Sequence, residues 1–599
     1  MDEGNVERPP AKPVVLYDGA CGFCKIWIEY WKRLTGDRLD YAASQERGGE
    51  FPQIAPEEFA GSVQLVAPDG AVSSGAKAVY ETLEHARGKG WLKKAYEASP
   101  MFAAASEAGY RTIAAHRNFF YRATALTFGK RIEPSTFART EWLFLRVLGL
   151  VYFFAFASLA PQARGLLGVG GVTPAGRFLV AVKEALGAQA YWRVPTVFWM
   201  NSTDEALIGV CWVGAALGLA LLCGASWSGL RVVLFALYLS IGVVGQDFLS
   251  FQWDALLLET GFLAIFLGRK RLVVWLFRWL LFRLIFMSGY VKLLSHDPTR
   301  RNLTALDYHY YTQPLPMPLA WYFQQAPEWF QRASTAGVFF VELGLPFLIF
   351  APRRLRHFAA EGMIALQVLI LLTGNYAFFN LLTLGLCLFL FDDRALDWKW
   401  MRGVAAAPVR SGIALRVLAG SIVFIGASQM LEGFIRSAPW PLALVQKFAG
   451  PFEIVNPYGL FAVMTTERIE IVIQGSNDGQ TWKDYELPYK PQDLKRRPEW
   501  VAPYQPRLDW QMWFAALGNY QNNPWFVGLM KRLLDGEPAV LKLFRVNPFP
   551  GAPPKYARAL VYDYRFTNWA EKKATGDWWK RTARGSYLPV ITLESFRRR

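Results

Sequence analysis

The sequence has few cysteines, few histidines and little charge for its length. Its 599 residues include five cysteines and five histidines, and only 19% of the residues are charged. No cysteine follows Cys387, which excludes a disulfide scaffold in the C-terminal region. The first apolar stretch, Val14–Tyr17, is too short for the core of a cleavable signal peptide, so none is expected. What remains is a mostly apolar chain, 53% hydrophobic.

The chain also lacks a basic nucleic-acid-binding motif, although its formal net charge is +17. Many of its lysines and arginines flank apolar stretches, where positive charge sets the orientation of a membrane protein. We therefore expect the lipid bilayer to be a partner of this chain, and we expect no nucleic-acid partner.

The apolar residues are concentrated between residues 140 and 435. A helix needs about 20 apolar residues to span a bilayer, and several runs here are shorter. The pair at 358–390, interrupted at Gly374 and Asn375, is either two spans or a re-entrant hairpin. The pattern predicts a polytopic α-helical membrane region over 141–435 with about nine spans. The runs are 142–160, 206–223, 230–245, 251–267, 272–294, 336–350, 358–373, 376–390 and 413–431.

Positive clusters between these runs predict the orientation. With nine spans, the four clusters all fall on one side, which the positive-inside rule makes cytoplasmic. The N-terminal region is then cytoplasmic and the C-terminal region extracytoplasmic. The clusters are Lys130, Arg131 and Arg139; Arg269, Lys270 and Arg271; Arg353, Arg354 and Arg356; and Arg394, Lys399 and Arg402.

Less apolar regions flank the membrane region. We expect residues 1–12 to be a flexible tail, 13–120 to form a small α/β domain and 121–140 to be a linker. Residues 450–599 predict a β-rich, sandwich-like domain, because 468–473 alternates in part like a half-buried strand and a turn cluster follows. The fold class is therefore that of a multidomain membrane protein.

Cys21 and Cys24 form a C-x-x-C pair between a predicted strand, Val14–Tyr17, and a predicted helix. This position places the first sulfur at a helix N-terminus, where free N–H groups and the helix dipole favour the thiolate. The pattern is typical of a dithiol redox site, with Cys21 attacking and Cys24 resolving. A structural pair and a metal site are the alternatives, although no second cysteine pair supplies further metal ligands.

The residues around this pair carry a family resemblance. Residues 17–24 read YDGACGFC, GAKA stands at 75–78, and Tyr110 and Arg117 follow. Over residues 14–120 the chain resembles the DCC family of thiol-disulfide oxidoreductases. The resemblance implies a thioredoxin-like fold, a redox role for Cys21 and Cys24 with Asp18 as a further catalytic candidate, and a thiol redox partner. We expect no cofactor and no metal.

Asp254 and Glu259 lie inside the fourth predicted span. Carboxylates are costly within a membrane and usually face a protein interior or a wet cavity. They either pair with Arg278 or Arg283 of the next span, or they have a catalytic or binding role. Glu342, in the 336–350 run, is a similar case.

Three segments are expected to meet on the extracytoplasmic side: the start of the fourth span, residues 295–313 and residues 374–380. They bring amides, aromatic rings and two histidines beside the C-terminal domain. Such a surface suits the binding of an exposed chain or a lipid-like group. The alternative is an aromatic belt at the membrane surface combined with packing between domains.

Six further strings carry a second resemblance: LDYHYYTQPLP (306–316), GNYAFFNLLT (374–383), NPYGLF (456–461), QPRLDWQMWFAALG (505–518), NPFP (547–550) and YDYRF (562–566). They are similar to strings of the lipase maturation factor family. This resemblance implies a polytopic membrane protein, resident in the endoplasmic reticulum of animals, that helps secreted homodimeric lipases to fold and assemble. It also implies a lumenal C-terminal domain that contacts clients. Tyr504 departs from the family, where a histidine is expected, so no histidine-dependent role is transferred there.

We expect client-binding residues within these strings. They are Asp307, Tyr308, His309, Tyr310, Gln313, Asn375, Tyr376, Asn380, Arg507, Asp509, Trp510 and Trp513.

Together the motifs predict a membrane-embedded maturation factor for exported proteins with an attached dithiol domain. The dithiol domain and the lack of a eukaryotic targeting signal favour a bacterial inner-membrane protein, whose client is a lipase or another exported protein. Two other classes stay open. One is a membrane oxidoreductase that couples Cys21 and Cys24 to a lipid-soluble or thioredoxin-like partner, and the other is a lipid or sugar transporter that uses Asp254 and Glu259.

Overall fold

The computed structural model describes residues 6–129, 132, 135–401, 403–404, 409–432, 447–459 and 461–596. The chain divides into two compact units. One comprises Met1–Ser135 with Ala351–His357, and the other comprises Thr136–Phe350 with Phe358–Arg599. Lys130, Arg131 and Arg402 of the predicted charge clusters lie outside the described residues.

The first unit is built on a four-stranded sheet with the strand order β2-β1-β3-β4. The central strand is buried on both faces, since Val14 and Leu16 pack in one apolar cluster and Val15 packs in another. This explains why its sequence is a continuous apolar run rather than an alternating one. β1 and β2 are parallel, and β3 and β4 are antiparallel to their neighbours. The strands are β1 Val14–Tyr17, β2 Asp40–Ala43, β3 Gln64–Val66 and β4 Val72–Ser74.

Helices cover this sheet and extend beyond it. The α/β class predicted for this part of the chain is confirmed. The longer helices are α1 Gly22–Thr35, α2 Pro56–Gly61, α3 Gly75–Glu84, α4 Trp91–Ala98, α5 Pro100–Ala115 and α6 Arg117–Thr127.

The second unit begins with a helical region, and every predicted apolar run coincides with helical structure in it. Within the described part of the chain, six helical segments are long and apolar enough to cross a membrane: Ala138–Leu167, Asp204–Cys223, Arg271–Leu294, Glu328–Phe350, Arg353–Thr373 and Ile413–Glu432. Ser228–Val244 and Phe379–Leu390 are shorter apolar helical segments. The polytopic helical class is confirmed, and the total of nine spans stays a prediction.

The helices of this region are numbered in chain order. One of the membrane segments is interrupted, because a π-helical turn, Phe340–Gly344, follows α15. The helices are α7 Ala138–Leu167, α8 Ala175–Leu186, α9 Asp204–Cys223, α10 Ser228–Val244, α11 Gln252–Ile265, α12 Arg271–Leu294, α13 Leu306–Thr312, α14 Pro318–Gln324, α15 Glu328–Phe339, α16 Arg353–Thr373, α17 Phe379–Cys387 and α18 Ile413–Glu432.

Helices α7 and α9 pack backbone against backbone. A Cβ atom added at Gly149 would lie 2.4 Å from the backbone nitrogen of Leu222, and one at Gly218 would lie 2.7 Å from that of Phe153. Small residues permit this approach, which is a common way for helices to associate within a membrane. The two glycines therefore fix the first helical pair of the bundle.

The C-terminal part of the second unit contains an antiparallel sheet with the order β6-β5-β7-β8. Ile471 and Ala559 of the sheet share one core with Met512 and Leu529 of the neighbouring helices. The β-rich class is confirmed, with helices rather than a second sheet packed against these strands in the described residues. The elements are β5 Arg468–Ser476, β6 Lys483–Tyr485, α19 Arg507–Ala515, α20 Pro524–Asp535, β7 Tyr556–Phe566, α21 Trp569–Thr575 and β8 Trp579–Ile591.

Candidate functional site

Cys21 and Cys24 lie at the start of α1. Cys21 is the residue that caps the helix, and its Sγ accepts a hydrogen bond from the backbone N–H of Cys24 at 3.3 Å. Both cysteines are free thiols and are partly exposed. The turn before them is closed by a hydrogen bond from Cys21 N–H to the carbonyl of Asp18, 3.2 Å. The strand, turn and helix thus present the first sulfur where N–H donors converge.

The second thiol is in a different environment. Burial, followed by the hydrogen bond and electrostatic interaction with Cys21, raises the pKa of Cys24 to about 12. Cys24 therefore rests as a protonated thiol at neutral pH. A dithiol that attacks with one sulfur and resolves with the other needs this kind of asymmetry.

Asp18 shapes the turn in front of the thiols. Its Oδ1 accepts hydrogen bonds from Ala20 N–H at 2.9 Å and from Gln45 Nε2 at 3.0 Å. Arg117 Nη1 lies 3.8 Å from its Oδ2. These contacts give Asp18 a structural role in the turn, and its catalytic role stays a prediction.

A cavity of about 210 Å³ adjoins Cys24. Its lining includes Trp27 and Trp31 of α1 together with Tyr110 and Arg117. Tyr110 accepts a hydrogen bond from the N–H of Val63 at 2.8 Å. The two distal residues that the sequence associated with the dithiol thus lie beside it, around a cavity that reaches the resolving thiol.

In the second unit, Arg507 and Asp254 form a buried two-point ion pair. Arg507 Nη1 lies 2.7 Å from Asp254 Oδ2, and Nη2 lies 2.9 Å from Oδ1. The hydroxyl of Tyr238 also donates to Asp254. The backbone N–H of Arg507 donates to Gln162 of α7 at 2.8 Å. The start of α19 is therefore fastened to α11 and α7 of the membrane region, and α10 supports the contact through Tyr238.

Glu259 anchors a second contact. It pairs with Arg283 of α12 and accepts hydrogen bonds from Asn456 N–H at 2.9 Å and from the Tyr458 hydroxyl at 2.8 Å. The predicted pairing with Arg283 is therefore observed for Glu259. For Asp254 the predicted pairing with Arg278 or Arg283 is wrong, because Asp254 pairs with Arg507 of the C-terminal region.

Asn375 bridges two loops. Its side-chain oxygen accepts from the N–H groups of Val501 (2.8 Å) and Ala502 (2.9 Å), and its nitrogen donates to the carbonyls of Glu499 (2.9 Å) and Leu315 (3.2 Å). Every bond goes to the backbone, so these contacts depend on the backbone conformation of the loops and not on their side chains. Asn375 thus holds the segment that leads into the QPRLDW string.

Gln313, Tyr376 and His309 form a connected polar group. The Tyr376 hydroxyl donates to Gln313 Oε1 at 3.1 Å and lies 3.4 Å from His309 Nε2. Gln313 Nε2 donates to the carbonyl of Thr373 at 2.8 Å. Burial within the protein and nearby cationic side chains lower the pKa of His309 to about 3, so this imidazole is neutral.

The contacts of Asp254, Glu259 and Asn375 form a junction between the membrane helices and the C-terminal region. Most of the predicted client-binding side chains are buried in this junction. Asp307, Tyr308 and His309 are partly exposed. Trp513 donates its indole N–H to the carbonyl of Thr312 at 2.8 Å, which ties α19 to α13. The expected open aromatic surface is therefore largely an internal interface, and the role of these residues in client binding stays a prediction. The buried members are Tyr310, Gln313, Asn375, Tyr376, Asn380, Arg507, Asp509, Trp510 and Trp513.

Sequence reasoning missed a buried ion pair between Lys292 of α12 and Glu342. Lys292 Nζ lies 2.5 and 2.6 Å from the two carboxylate oxygens. The sequence signal for this pair was one charge of each sign in consecutive apolar runs, Lys292 in 272–294 and Glu342 in 336–350. It also missed Arg468, whose guanidinium donates to the carbonyls of Tyr311 (2.7 Å) and Pro314 (3.0 Å). No group of three or more His, Cys, Asp or Glu side chains suited to a metal occurs in the described ranges.

Three regions of the chain match models of known protein families. Residues 139–398 match the family model described as the lipase maturation factor transmembrane domain, and 454–589 match the lipase maturation factor C-terminal domain. Residues 15–123 match the DCC1-like thiol-disulfide oxidoreductase model. No solved structure matches the chain.

Individual proteins that are similar to this chain carry the name of the same family. Lipase maturation factor 2 of Gallus gallus is 35% identical, with 76% of this chain and 82% of the relative covered. Lipase maturation factor 1 of Mus musculus is 34% identical, with 78% and 89% covered. This chain is a multi-pass membrane protein that belongs to the lipase maturation factor family and carries a DCC1-like thiol-disulfide oxidoreductase domain in its N-terminal region.

Proposed function

We propose that this chain is a membrane-embedded maturation factor for an exported protein, with a lipase as the client that the relatives' names suggest. The main structural support is the junction in the second unit. The buried Asp254–Arg507 ion pair fastens the C-terminal region to the membrane helices. Hydrogen bonds from Asn456 and Tyr458 to the buried Glu259 add a second attachment. A client-binding domain held in this way presents its outer surface at a constant position relative to the bilayer.

The client surface that we propose adjoins the buried junction. Phe514 and Leu517, which follow the buried Trp513 in the same string, are 41% and 51% exposed. Asp307 and Tyr308 are partly exposed. Exposed apolar side chains next to polar groups are characteristic of protein-binding surfaces. A client would thus meet Phe514 and Leu517 directly, while the buried members of the string hold them in place.

We propose further that the C-terminal region is extracytoplasmic and that the dithiol domain is cytoplasmic, in a bacterial inner membrane. The support is the distribution of positive charge between the apolar runs, including Arg269, Lys270 and Arg271. Reporter enzymes that work in only one compartment, fused to each terminus, test this orientation. An extracytoplasmic signal from the N-terminus would overturn it.

A second candidate activity is dithiol–disulfide exchange with a thiol partner. It is favoured by the asymmetry of the dithiol, since Cys21 caps α1 and Cys24 rests as a thiol. A cytoplasmic dithiol faces a reducing pool and would rest reduced. On this proposal the N-terminal domain is a redox module in a different compartment from the client surface.

The maturation proposal is tested in cells that lack this chain. We expect at least one exported protein to lose activity while its synthesis is unchanged. Activity should return with the wild-type chain and with Cys21→Ser/Cys24→Ser, but not with Phe514→Asp/Leu517→Asp at equal membrane abundance. Normal activity of every exported protein in the deleted strain would refute the maturation role. Loss of rescue only in the cysteine variant would favour the oxidoreductase instead.

A further inference from the structure

A cavity of about 440 Å³ lies within the second unit, among α12, α15, α16 and the loop helix α13. Leu284, Val338 and Leu366 contribute to its mainly apolar wall. Arg300 and Glu342 contribute to a polar end. Its volume falls within the range of about 300–1,000 Å³ found for small-molecule sites, and an apolar wall with a few polar groups is their usual composition.

The cavity opens sideways between α15 and α16. Gly337 of α15 and Ala365 of α16 line it and are exposed. Leu369, one turn beyond Ala365, also lines it and is 51% exposed. Both helices belong to segments long and apolar enough to cross a bilayer. An opening in this position faces acyl chains rather than water.

At the polar end, one cation and one anion are already matched. Lys292 and Glu342 form an ion pair in which both side chains are buried. Glu342 belongs to the π-helical turn Phe340–Gly344, a distortion that is frequent at functional sites. This pair supplies polarity to the cavity without leaving a net charge.

Arg300 is the cation of the polar end that has no direct ion pair among the described residues, although the carboxylates of Glu342 and Asp297 attract it over a longer distance. It is 7% exposed, and its Nη2 donates to the carbonyl of Phe461 at 3.1 Å. Within the described part of the chain, its Nε has no hydrogen-bond partner and no carboxylate lies within ion-pair distance of it. Asp297 is occupied by the N–H groups of Thr299 and Met464. A buried guanidinium without a carboxylate in direct contact is costly, so the site is complementary to an anionic group that can accept its hydrogen bonds.

Trp253 adds a second donor to the cavity. It lines the cavity, is buried, and its indole N–H has no hydrogen-bond acceptor among the residues that the structure describes. Because the unsatisfied groups of Trp253 and Arg300 are both donors, the matching ligand brings acceptors. The side chains of the polar end are almost fully buried, which favours a small headgroup.

We propose that this cavity is a binding site for a long-chain fatty acid taken from the bilayer. The carboxylate, the smallest common anionic headgroup, accepts hydrogen bonds at Arg300 and Trp253. The acyl chain lies along the apolar wall and enters through the opening between α15 and α16. This site is independent of the dithiol and of the proposed client surface.

The test uses the full chain in phosphatidylcholine nanodiscs and a palmitic acid analogue with a photoreactive diazirine in its chain. We expect adducts in residues 334–341 or 362–373, which excess palmitate removes. The same diazirine chain with an alcohol headgroup should label these segments about tenfold less, the effect of losing one charge-assisted hydrogen bond. Equal labelling by the alcohol, or labelling that palmitate does not reduce, would refute the carboxylate site.

Two variants make the test specific. Apart from the neighbouring residues and backbone of its own helix, no atom of the described residues lies within 4 Å of a Cβ added at Gly337, so Gly337→Leu narrows the opening without displacing the backbone. Gly420→Leu on α18 has the same free space and is the matched control. We expect Gly337→Leu and Arg300→Gln to abolish the competed adducts and Gly420→Leu to retain them. Unchanged adducts in Gly337→Leu would show that the label reports lipid outside the cavity and would overturn the proposal.

Discussion

The guanidinium of Arg507 donates two hydrogen bonds, of 2.7 and 2.9 Å, to the carboxylate of Asp254, although the residues are 253 positions apart. Arg507 opens α19 of the C-terminal region, and Asp254 lies in the first turn of α11. Arg507 Nη1 also donates to the carbonyl of Phe248 at 2.9 Å. Residues 505–510, which read QPRLDW, therefore attach the C-terminal region to the helical bundle.

Breaking this ion pair should destabilise the protein strongly. Arg507→Ala leaves the Asp254 carboxylate buried and unpaired, which costs about 3–5 kcal/mol. The unfolding midpoint of the purified chain in detergent measures the loss. Arg545→Ala is the control, because the Arg545–Glu499 pair is 37% and 39% exposed and such pairs contribute less than about 1 kcal/mol. Equal shifts for the two variants would contradict this account of the junction.

The amide of Asn375 should matter for the loop at residues 499–502. Asn375→Ala removes the acceptor of two backbone N–H groups, and each group left unsatisfied costs about 1–3 kcal/mol. We expect a lower unfolding midpoint together with faster proteolytic cleavage of that loop. Asn522→Ala, at an exposed position, should change neither. Cleavage at the wild-type rate would show that Asn375 does not hold the loop.

The two thiols of the N-terminal domain should differ in reactivity. With Cys24→Ser, Cys21 should form a mixed disulfide that persists, because the resolving thiol is gone. With Cys21→Ser, alkylation of Cys24 should be slow at pH 7 and accelerate toward pH 10, because burial raises its pKa. Trapping followed by mass spectrometry measures both. Cys223→Ser, which changes an exposed cysteine on α9, is the control. A mixed disulfide on Cys24 in Cys21→Ser would reverse the assigned roles.

Asp509 should make stability depend on pH. Burial raises the pKa of this carboxyl from 3.8 to about 7 in the folded protein. The folded state therefore holds a proton that the unfolded state has released, and the contribution of Asp509 to stability declines as pH rises from 3.8 to about 7. Asp509→Asn removes this decline.

The measurement is the difference in unfolding midpoint between Asp509→Asn and wild type at pH 4.5 and pH 7.5. The variant should gain relative to wild type at the higher pH, since the amide never ionises. Taking the difference between the two chains cancels the titration of groups that do not interact with Asp509. A difference that does not change with pH would mean that the pKa of Asp509 is not raised.

Local patterns in the sequence predicted the elements that local physics determines. Cys21 precedes a helix because an apolar strand, a turn and a helical composition follow one another within residues 14–35. The apolar runs became helices because a bilayer leaves backbone groups no other partners. The β5–β6 hairpin formed where a Gly- and Asn-rich turn separates two strands.

The partner of each buried polar group was not predictable in this way. Asp254 and Glu259 were expected to use the same arginines, whereas Asp254 pairs with Arg507 and only Glu259 pairs with Arg283. Similarly, Gln313 and Asn375 were expected on an open surface and lie in a closed junction. Sequence spacing carries no information about which of several distant cations reaches a given carboxylate.

The sequence by itself determined the domain order, the family, the helical membrane region and the position of the dithiol, because these depend on composition, periodicity and short motifs. The tertiary structure alone decided that the family strings lie mostly inside a junction. It also decided that the buried Arg300 lines a mainly apolar cavity with its Nε lacking a hydrogen-bond partner in the described residues. Burial and ion pairing are properties of the packed chain, since they depend on groups brought together from more than a hundred residues apart.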